Sequence, residues 1–248
     1  MRTLILILFV SLSSSLFAKE DMNAIWLQAN KAFEKKEYAT AVLWYQKIAD
    51  TKPQNAIVYF NLGNAYYKLN NISQAILNYE RALAINPNYT EASDNLVIAQ
   101  SRIPNRLAQS QDIFFVRWWK AITSSTNAGL WAVLSVLLFL ALIGMNIVKK
   151  LRLASFHIPG QVFAGSWSAL AVMLVFAFTS ANRASHNNKA VVTQNDSPFY
   201  TSPQQTKPSL YVPEGTTVVL DNEIQGWVGV TLPDGREGWI RTNTLTKI

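Results

Sequence analysis

Residues 56–89 read AIVYFNLGNAYYKLNNISQAILNYERALAINPNY, and this stretch decides the fold of the N-terminal third of the chain. Its apolar residues recur every three to four positions, and glycine and proline are rare, which is typical of amphipathic helices. The preceding sequence carries the same pattern 34 residues earlier, so that Ala29 aligns with Gly63 and Tyr45 aligns with Tyr79. A self-similar period of this length predicts a solenoid of helical hairpins.

The spacing within this copy resembles the tetratricopeptide repeat (TPR). Small residues at Gly63 and Ala75 let two helices approach closely, and Pro87 ends the second helix. The first copy is weaker, because Lys36 stands where the turn between helices favours glycine. We therefore expect residues 19–104 to form a TPR domain of two repeats followed by a capping helix. The positions that carry the resemblance are Tyr59, Leu62, Gly63, Tyr66, Ala75, Tyr79, Ala82 and Pro87.

The resemblance implies a concave groove that binds a peptide or a partner helix and is lined by the first helix of each repeat. For each aromatic residue there, simple packing is the alternative. Family members that clamp a chaperone's C-terminal carboxylate need Lys and Arg in the groove. This sequence has Trp26, Glu91 and Asn95 at those positions, so we do not expect that clamp. The candidate groove residues are Asn30, Phe33, Asn61, Asn64 and Tyr67, with Trp26 and Phe60 alongside.

Two apolar runs follow, residues 128–147 and 162–181, each 20 residues long and without a charged residue. A helix rises about 1.5 Å per residue, so each run covers the roughly 30 Å of bilayer hydrocarbon. The first run holds eleven Leu, Ile, Val or Phe residues and the second holds eight. Two buried helices of a soluble domain are the alternative, but residues 130–143 lack the polar stripe of such helices. We predict a transmembrane hairpin joined by a basic loop, residues 148–161.

Small residues in the second run predict how the two helices meet. Gly165 and Ala169 lie four positions apart, a spacing that permits close approach of two backbones. We expect this contact to face Ala141 and Gly144 of the first run, and a contact with another protein is the alternative. No ionisable residue lies at mid-depth in either run, so an ion path is not indicated.

The N-terminus sets the expected direction of the crossing. Residues 1–18 have a basic start, a short apolar core and a small-residue exit, which predicts a secretory signal peptide. Cleavage after Ala18 or after Ser15 fits, and an uncleaved anchor is the alternative. The signal places the repeats outside the cytoplasm, and the loop 148–161, with three basic residues, is then cytoplasmic, as the positive-inside rule requires. We expect a two-pass protein of the cytoplasmic (inner) membrane with both flanking modules on the periplasmic or extracytoplasmic side.

Residues 105–127 are predicted to be an interfacial aromatic linker. The segment Ile113–Lys120 combines apolar rings with cations, which is the composition of the lipid headgroup region. We expect Trp118 and Trp119 to lie at the bilayer surface, and packing on the capping helix is the alternative.

The last segment, residues 190–248, changes to β-rich runs broken by turn residues, after a short linker at residues 182–189. Asp234-Gly235 is a tight-hairpin signal, because glycine supplies the positive φ. The pattern Glu214-Gly215-Thr216, then Gly226-Trp227 and Gly238-Trp239-Ile240, resembles bacterial SH3 (SH3b) domains, which implies a small barrel of five or six strands. The predicted strands are Ala190–Val192, Leu210–Val212, Thr216–Leu220, Trp227–Thr231 and Gly238–Arg241.

The tryptophans of this segment are the candidates for its ligand site. Related domains bind cell-wall peptides or protein segments. We expect Trp239 to pack in the barrel core and take Trp227 as the SH3b ligand candidate.

The order of segments resembles the BatE-like proteins of the Bacteroides aerotolerance (Bat) operons, down to an Arg-Trp-Trp before the first span. The expected fold is a multidomain membrane protein with an α-helical TPR solenoid, a two-helix transmembrane hairpin and a small all-β SH3-like barrel. The resemblance implies a non-enzymatic adaptor or scaffold in a complex with von Willebrand A-domain membrane proteins, linked to aerotolerance and envelope stress. A protein that binds or senses cell-wall peptidoglycan through its SH3b domain is the alternative.

The composition of the chain limits the classes of partner, cofactor and catalytic site that we expect. The chain has 248 residues, a net charge of +7, no cysteine and two histidines. Its basic residues are scattered or flank the apolar runs, so we expect lipid and protein partners and no nucleic acid. Without cysteine and with histidine so rare, no cofactor, metal site or catalytic residue is predicted.

Overall fold

The structure is a computed structural model that describes residues 22–109, 114–124, 127–151, 160–185 and 188–248. The predicted signal peptide, residues 1–18, and most of the loop 148–161 lie outside the described residues. The helices are α1 (Met22–Glu34), α2 (Tyr38–Thr51), α3 (Ala56–Lys68), α4 (Ile72–Ile85), α5 (Thr90–Ser101), α6 (Phe114–Ile122), α7 (Ala128–Lys150) and α8 (Gly160–Ser185).

Helices α1–α5 form the solenoid, residues 22–103, in which each helix packs on the next. Asparagines begin two of the helices, because the Asn55 side chain accepts hydrogen bonds at the start of α3 and Asn71 does so at the start of α4. The turns between paired helices need a left-handed residue, supplied by Lys36 (φ 64°) and, 34 positions later, Asn70 (φ 62°). The prediction that the Lys36 position favours glycine agrees with this backbone geometry.

A glycine brings α3 and α4 together. A Cβ at Gly63 would lie 2.7 Å from two ring carbons of Tyr79, closer than real Cβ contacts. Tyr79 is fully buried, and its equivalent in the first repeat, Tyr45, belongs to the same buried cluster as Ala29. A small residue at position 63 therefore allows α3 and α4 to approach closely, as predicted.

Helices α7 and α8 pack on each other as a pair. The stretches Ala128–Val148 and Gln161–Asn182 are long and apolar enough to cross a membrane, with mean hydropathies of 2.4 and 1.9. Only 11% and 6% of their most apolar 18-residue windows is buried, whereas core helices of a soluble domain are mostly buried.

The predicted small-residue contact between these helices is wrong. A Cβ at Gly144 or Gly165 would meet nothing within 4 Å. The buried side chains of the pair are instead Ser135 and Leu142 of α7 and Leu170 and Ser180 of α8.

The β module, residues 188–248, consists of short antiparallel strands. They are β1 (Lys189–Val192), β2 (Ser197–Phe199), β3 (Leu210–Val212), β4 (Thr217–Ile224), β5 (Trp227–Thr231), β6 (Glu237–Arg241) and β7 (Leu245–Lys247). Five strands form one sheet in the order β6-β5-β4-β1-β7, and β2 and β3 form a second sheet. A backbone bridge between Tyr200 and Trp239 links the two sheets. Gln225 and Gly226, both with positive φ, form the two-residue turn between β4 and β5.

The expectation that Trp239 packs in the core is wrong. In β6 the two core positions are taken by Gly238 and Ile240, and side chains alternate along a strand. Trp239 therefore lies on the opposite face, where it is half-buried. Gly238 is required at its position because a Cβ there would collide with the Phe199 ring.

The solenoid and the β module contact each other directly. Val191 and Ile248 of the β module join an apolar cluster with Ile76 and Ile103 of the solenoid. Beside this cluster, the buried carboxylate of Glu80 accepts hydrogen bonds from the β module, and we call this contact the module interface.

Candidate functional site

The solenoid carries a cavity of about 390 Å³ on the first helices of its repeats. Three of the five predicted groove residues, Phe33, Asn64 and Tyr67, line this cavity together. Asn30 and Asn61 do not line it. The structure adds Lys68, Tyr79 and Ile98, and Asn95, which the sequence placed at a clamp position of the groove, lines the cavity as well.

Some of these additional lining residues could have been predicted from the repeat period, and others could not. Ile98 stands 34 positions after Asn64, so the repeat period could have identified it as a groove position. Lys68 directly follows Tyr67 at the end of α3, and no feature of the repeat pattern marks it.

Asn64 is part of the scaffold of the groove as well as its lining. Its Oδ1 accepts a hydrogen bond from the Tyr79 hydroxyl at 2.8 Å and another from Asn95 Nδ2 at 2.9 Å. The first repeat has the equivalent bond from the Tyr45 hydroxyl to Asn30 Oδ1 at 2.6 Å. Because the Asn64 carbonyl is occupied, its NH₂ group is what this side chain can offer to a ligand.

Burial raises the pKa of both tyrosines. The pKa of Tyr45 is about 12, because burial and the charge of Glu34 raise it, and a hydrogen bond with Asn61 partly offsets the rise. Burial likewise raises the pKa of Tyr79 well above its ordinary value. Tyrosine is protonated at physiological pH even at its ordinary pKa, and the raised values extend the range in which both hydroxyls are hydrogen-bond donors to more alkaline pH.

Neighbouring side chains contact the two aromatic rings of the groove, Tyr67 and Phe33. The Arg102 guanidinium lies 5.2 Å from the Tyr67 ring centroid and donates to Asn70 Oδ1 at 2.6 Å. Phe33 meets the edge of Tyr38 at a centroid distance of 5.3 Å. Two rings held at fixed angles, an exposed Ile98 and amide donors suit a peptide with apolar side chains and free backbone carbonyls.

The β module presents a second candidate surface, which we call the aromatic face: Tyr200, Trp227, Trp239 and Arg241. The Arg241 guanidinium lies 3.9 Å from the Trp227 ring centroid, and the Tyr200 ring meets Trp227 edge-on at 5.1 Å. The register of β5 and β6 pairs Trp227 with Arg241 and Gly229 with Trp239, which puts both tryptophans on the outer face. The predicted ligand residue Trp227 is thus half-buried and has one ring face covered by Arg241.

Two observations concern metal ligands and perturbed carboxylates in the part of the chain that the structure describes. No group of three or more His, Cys, Asp or Glu residues there could hold a metal ion. Hydrogen bonds from Arg236 lower the pKa of Asp234, but this carboxylate belongs to the predicted hairpin turn, in which Gly235 has φ 88°. Its perturbed pKa therefore reflects turn structure.

Comparison with known proteins identifies the repeats. The tetratricopeptide repeat profile matches residues 56–89, and a second TPR repeat profile matches residues 29–70. Small glutamine-rich tetratricopeptide repeat-containing protein 2 of Saccharomyces cerevisiae is 34% identical over 74 residues, which is 30% of this chain and 21% of that protein. The chain thus spans about a fifth of this relative. The predicted tetratricopeptide repeats are confirmed.

Two solved structures share the repeat segment. The first TPR of Spaghetti (RPAP3), bound to the HSP90 peptide SRMEEVD, is 27% identical, with a TM-score of 0.32, over 33% of this chain and 65% of that one. The Sgt2 TPR domain from Aspergillus fumigatus is 25% identical, with a TM-score of 0.32, over 35% of this chain and 58% of that one.

Proposed function

We propose that this chain is a membrane-anchored, non-enzymatic adaptor that presents the TPR groove and an SH3b-like module on the periplasmic side of the cytoplasmic membrane. The observation that carries the proposal is the module interface. Helices α7 and α8 separate the two modules in sequence, yet Glu80 of the solenoid bonds Lys189 of the β module at 3.3 Å. Modules in contact lie on one side of a membrane, so the chain between them crosses an even number of times, as a hairpin does.

The exposed surface of the hairpin supports the membrane anchor. The helices are hydrophobic around most of their circumference, and large apolar side chains such as Leu137 and Phe178 lie exposed along them. Soluble proteins rarely expose continuous apolar patches of this extent. Lipid chains are the surroundings in which such a pair of helices is stable.

The adaptor part of the proposal rests on the confirmed repeats and the shape of their groove. The resemblance to BatE-like proteins names von Willebrand A-domain membrane proteins as the partners, and aerotolerance and envelope stress as the setting. We do not carry over the HSP90 peptide of the Spaghetti structure, because Trp26, Glu91 and Asn95 occupy the clamp positions. Lys68 is a cation that lines the cavity, so an acidic residue in the bound segment fits beside its apolar anchors.

The groove is tested with full-length protein in detergent and the von Willebrand A-domain partners. Asn64→Ala is unsuitable because it also removes the acceptor of Tyr79 and Asn95. We use Tyr67→Ala with Ile98→Asp, which removes one ring and one apolar contact. Loss of two anchors of this kind costs about 2–3 kcal/mol, or roughly 30–150-fold in affinity.

The matched control is Val97→Asp. Val97 is as exposed as its neighbour Ile98 but does not line the cavity. Capture of the partners is expected to survive Val97→Asp and to be lost in the groove variant. Equal capture by both variants would contradict the groove assignment.

The topology is tested with single cysteines, since the natural chain has none. A membrane-impermeant thiol reagent is expected to label Ser93→Cys and Asn243→Cys in cells whose outer barrier is opened. Lys150→Cys, at the end of α7, is expected to react only after the inner membrane is permeabilised. Labelling of Ser93→Cys and Asn243→Cys from opposite sides would refute the hairpin.

The aromatic face supports cell-wall binding as a second candidate function. Flat rings beside an arginine suit stacking on sugar rings and contact with a peptide carboxylate. Sedimentation of the full-length protein with purified peptidoglycan tests it. Trp227→Ala is expected to abolish sedimentation, whereas Tyr211→Ala, an exposed tyrosine of the other sheet, is expected to leave it intact. Protein that stays in the supernatant without either substitution rules this candidate out.

A further inference from the structure

Helix α6 has one strongly apolar face. At 100° per residue, its aromatic and isoleucine positions occupy an arc of about 140°, and Arg117 and Lys120 fall outside it. The apolar arc is not covered by the solenoid or the β module in the described residues: Phe114 is 63% exposed, Phe115 72% and Trp118 50%. An exposed arc of this kind on a nine-residue helix needs an apolar surrounding.

Contacts at its C-terminal end hold α6 against the hairpin. The Trp119 ring meets Phe176 of α8 at a centroid distance of 5.6 Å, and Trp131 of α7 meets the same ring at 5.0 Å. The Trp131 indole Nε1 also donates to the Ile122 carbonyl at 2.9 Å. These contacts place α6 beside the first turn of α7 and the C-terminal half of α8.

We infer that α6 lies flat on the outer surface of the bilayer, with its rings at the acyl boundary and the helix face that carries positions 117 and 120 towards the phosphates of anionic lipids. This inference rests on the proposed membrane anchor and adds a lipid-binding surface to it. The level of α6 follows from its contacts with the spanning helices, and the charges opposite the rings match a lipid surface. Aromatic rings at this depth are the usual anchors of membrane proteins.

Anionic lipid is expected to strengthen the binding of α6 to the bilayer, because each cation near such a surface favours binding by about 1 kcal/mol, or roughly fivefold.

The experiment uses full-length protein, with an environment-sensitive fluorophore on single cysteines, reconstituted into vesicles of phosphatidylcholine with or without phosphatidylglycerol. The labelled positions are Phe115→Cys on the apolar arc, Arg117→Cys outside it and Leu137→Cys in the middle of α7. Lipids carrying a nitroxide near the headgroup or near the end of the acyl chain measure depth, and iodide measures exposure to water. Leu137→Cys reports on the membrane anchor independently of α6.

The expected result is quenching of position 115 by the shallow nitroxide, of position 137 by the deep nitroxide, and of position 117 by iodide. Iodide quenching of position 115 with deep quenching of 137 overturns the α6 inference alone. Iodide quenching of 137 overturns the anchor as well. A label at 115 shielded from both iodide and nitroxides shows that protein covers α6 and also overturns the inference.

The anionic preference is tested by Arg117→Gln with Lys120→Gln in the Phe115→Cys background. In vesicles with phosphatidylglycerol, the ratio of lipid-buried to water-exposed label is expected to fall by about fivefold per cation removed. In phosphatidylcholine alone the substitutions are expected to change nothing. An equal ratio in both vesicle types before substitution overturns the preference for anionic lipid.

Discussion

Glu80 joins the two modules, and its removal is expected to weaken the module interface by a measurable amount. Its side chain is only 9% exposed, and it accepts from Thr217 Oγ1 at 3.2 Å and from Lys189 Nζ at 3.3 Å. Both donors belong to the β module, whereas Glu80 lies on α4 of the solenoid. The substitution Glu80→Ala removes both bonds at once.

The magnitude follows from the surroundings of each bond. A hydrogen bond to a charged acceptor contributes about 1.5–3 kcal/mol, which applies to the partly buried Thr217. Lys189 is 48% exposed, so solvent screening limits its ion pair to about 1 kcal/mol at most. Allowing for water at the vacated site, we expect Glu80→Ala to cost about 2–3 kcal/mol of docking free energy, or roughly 30–150-fold in the ratio of docked to separated modules. Glu80→Gln keeps an acceptor for Thr217 and is expected to cost about half as much.

Pulsed electron paramagnetic resonance measures this ratio. Spin labels on Ser93→Cys and Asn243→Cys report the distance between the modules through a urea titration, and the separation transition is expected to move to lower urea in Glu80→Ala. The matched control is Glu223→Ala, which removes an exposed carboxylate bonded to Lys247 within the β module at 3.1 Å. Equal transitions in Glu80→Ala and Glu223→Ala would refute the reasoning.

Three further predictions concern the stability of the modules. Gly63→Ala is expected to destabilise the solenoid by about 1–2 kcal/mol. Overpacking against Tyr79 outweighs the gain in helix propensity, which is about 1 kcal/mol. Thermal unfolding followed by circular dichroism measures the change in stability. Gly238→Ala is expected to cost about 2–3 kcal/mol or to prevent folding of the β module, because the new Cβ would collide with the Tyr200 carbonyl oxygen as well as the Phe199 ring, and a backbone atom cannot move aside as a flexible side chain can. Hydrogen exchange of the strand amides measures this effect. The depressed pKa of Asp234 stabilises the folded state above the ordinary aspartate value of 3.8, and this contribution is lost as pH falls through the folded pKa. Acid unfolding of Asp234→Asn is expected to lack that component.

Controls separate these effects from general damage. Ala84→Gly, at an exposed site of α4, calibrates the helix-propensity contribution, and a Gly63→Ala protein as stable as the natural one would contradict the packing distance. Val219→Ala, at an exposed site of β4, should leave strand exchange unchanged, so similar protection in Gly238→Ala would contradict the clash. An unaltered acid transition in Asp234→Asn would show that the Asp234–Arg236 pair contributes nothing.

The repeats and the apolar helices could be predicted because their signals are local. Gly63 and Tyr79 lie one helical hairpin apart, and a period of 34 residues records that hairpin twice. The apolar runs extend as helices to Ala128–Lys150 and Gly160–Ser185, since continuous hydrophobicity does not mark where a helix ends. In the β segment, the predicted runs correspond to β1, β3, β4, β5 and β6, whereas β2, in which Pro198 interrupts the strand pattern, and the short β7 were not predicted.

The groove was predicted in part for the same reason. Phe33, Asn64 and Tyr67 follow from the repeat pattern, but that pattern cannot show that Asn64 uses its carbonyl to hold Tyr79. The face of Trp239 was predicted wrongly because a tryptophan in a strand is usually taken as core. Here the Phe199 ring from another strand fills the space beside Gly238 and reverses the assignment.

The sequence by itself determined the helical repeats, the two long apolar helices and most strands, because each depends on side chains within a few turns or one hairpin. Only the tertiary structure decided that the solenoid and the β module touch. Glu80 reads as a surface charge on an amphipathic helix, and its partner Lys189 lies 109 residues away, beyond both apolar helices. Glu80 is buried by the surface of the β module and not by its own helix. The residue pattern of that helix therefore cannot predict the contact between the two modules.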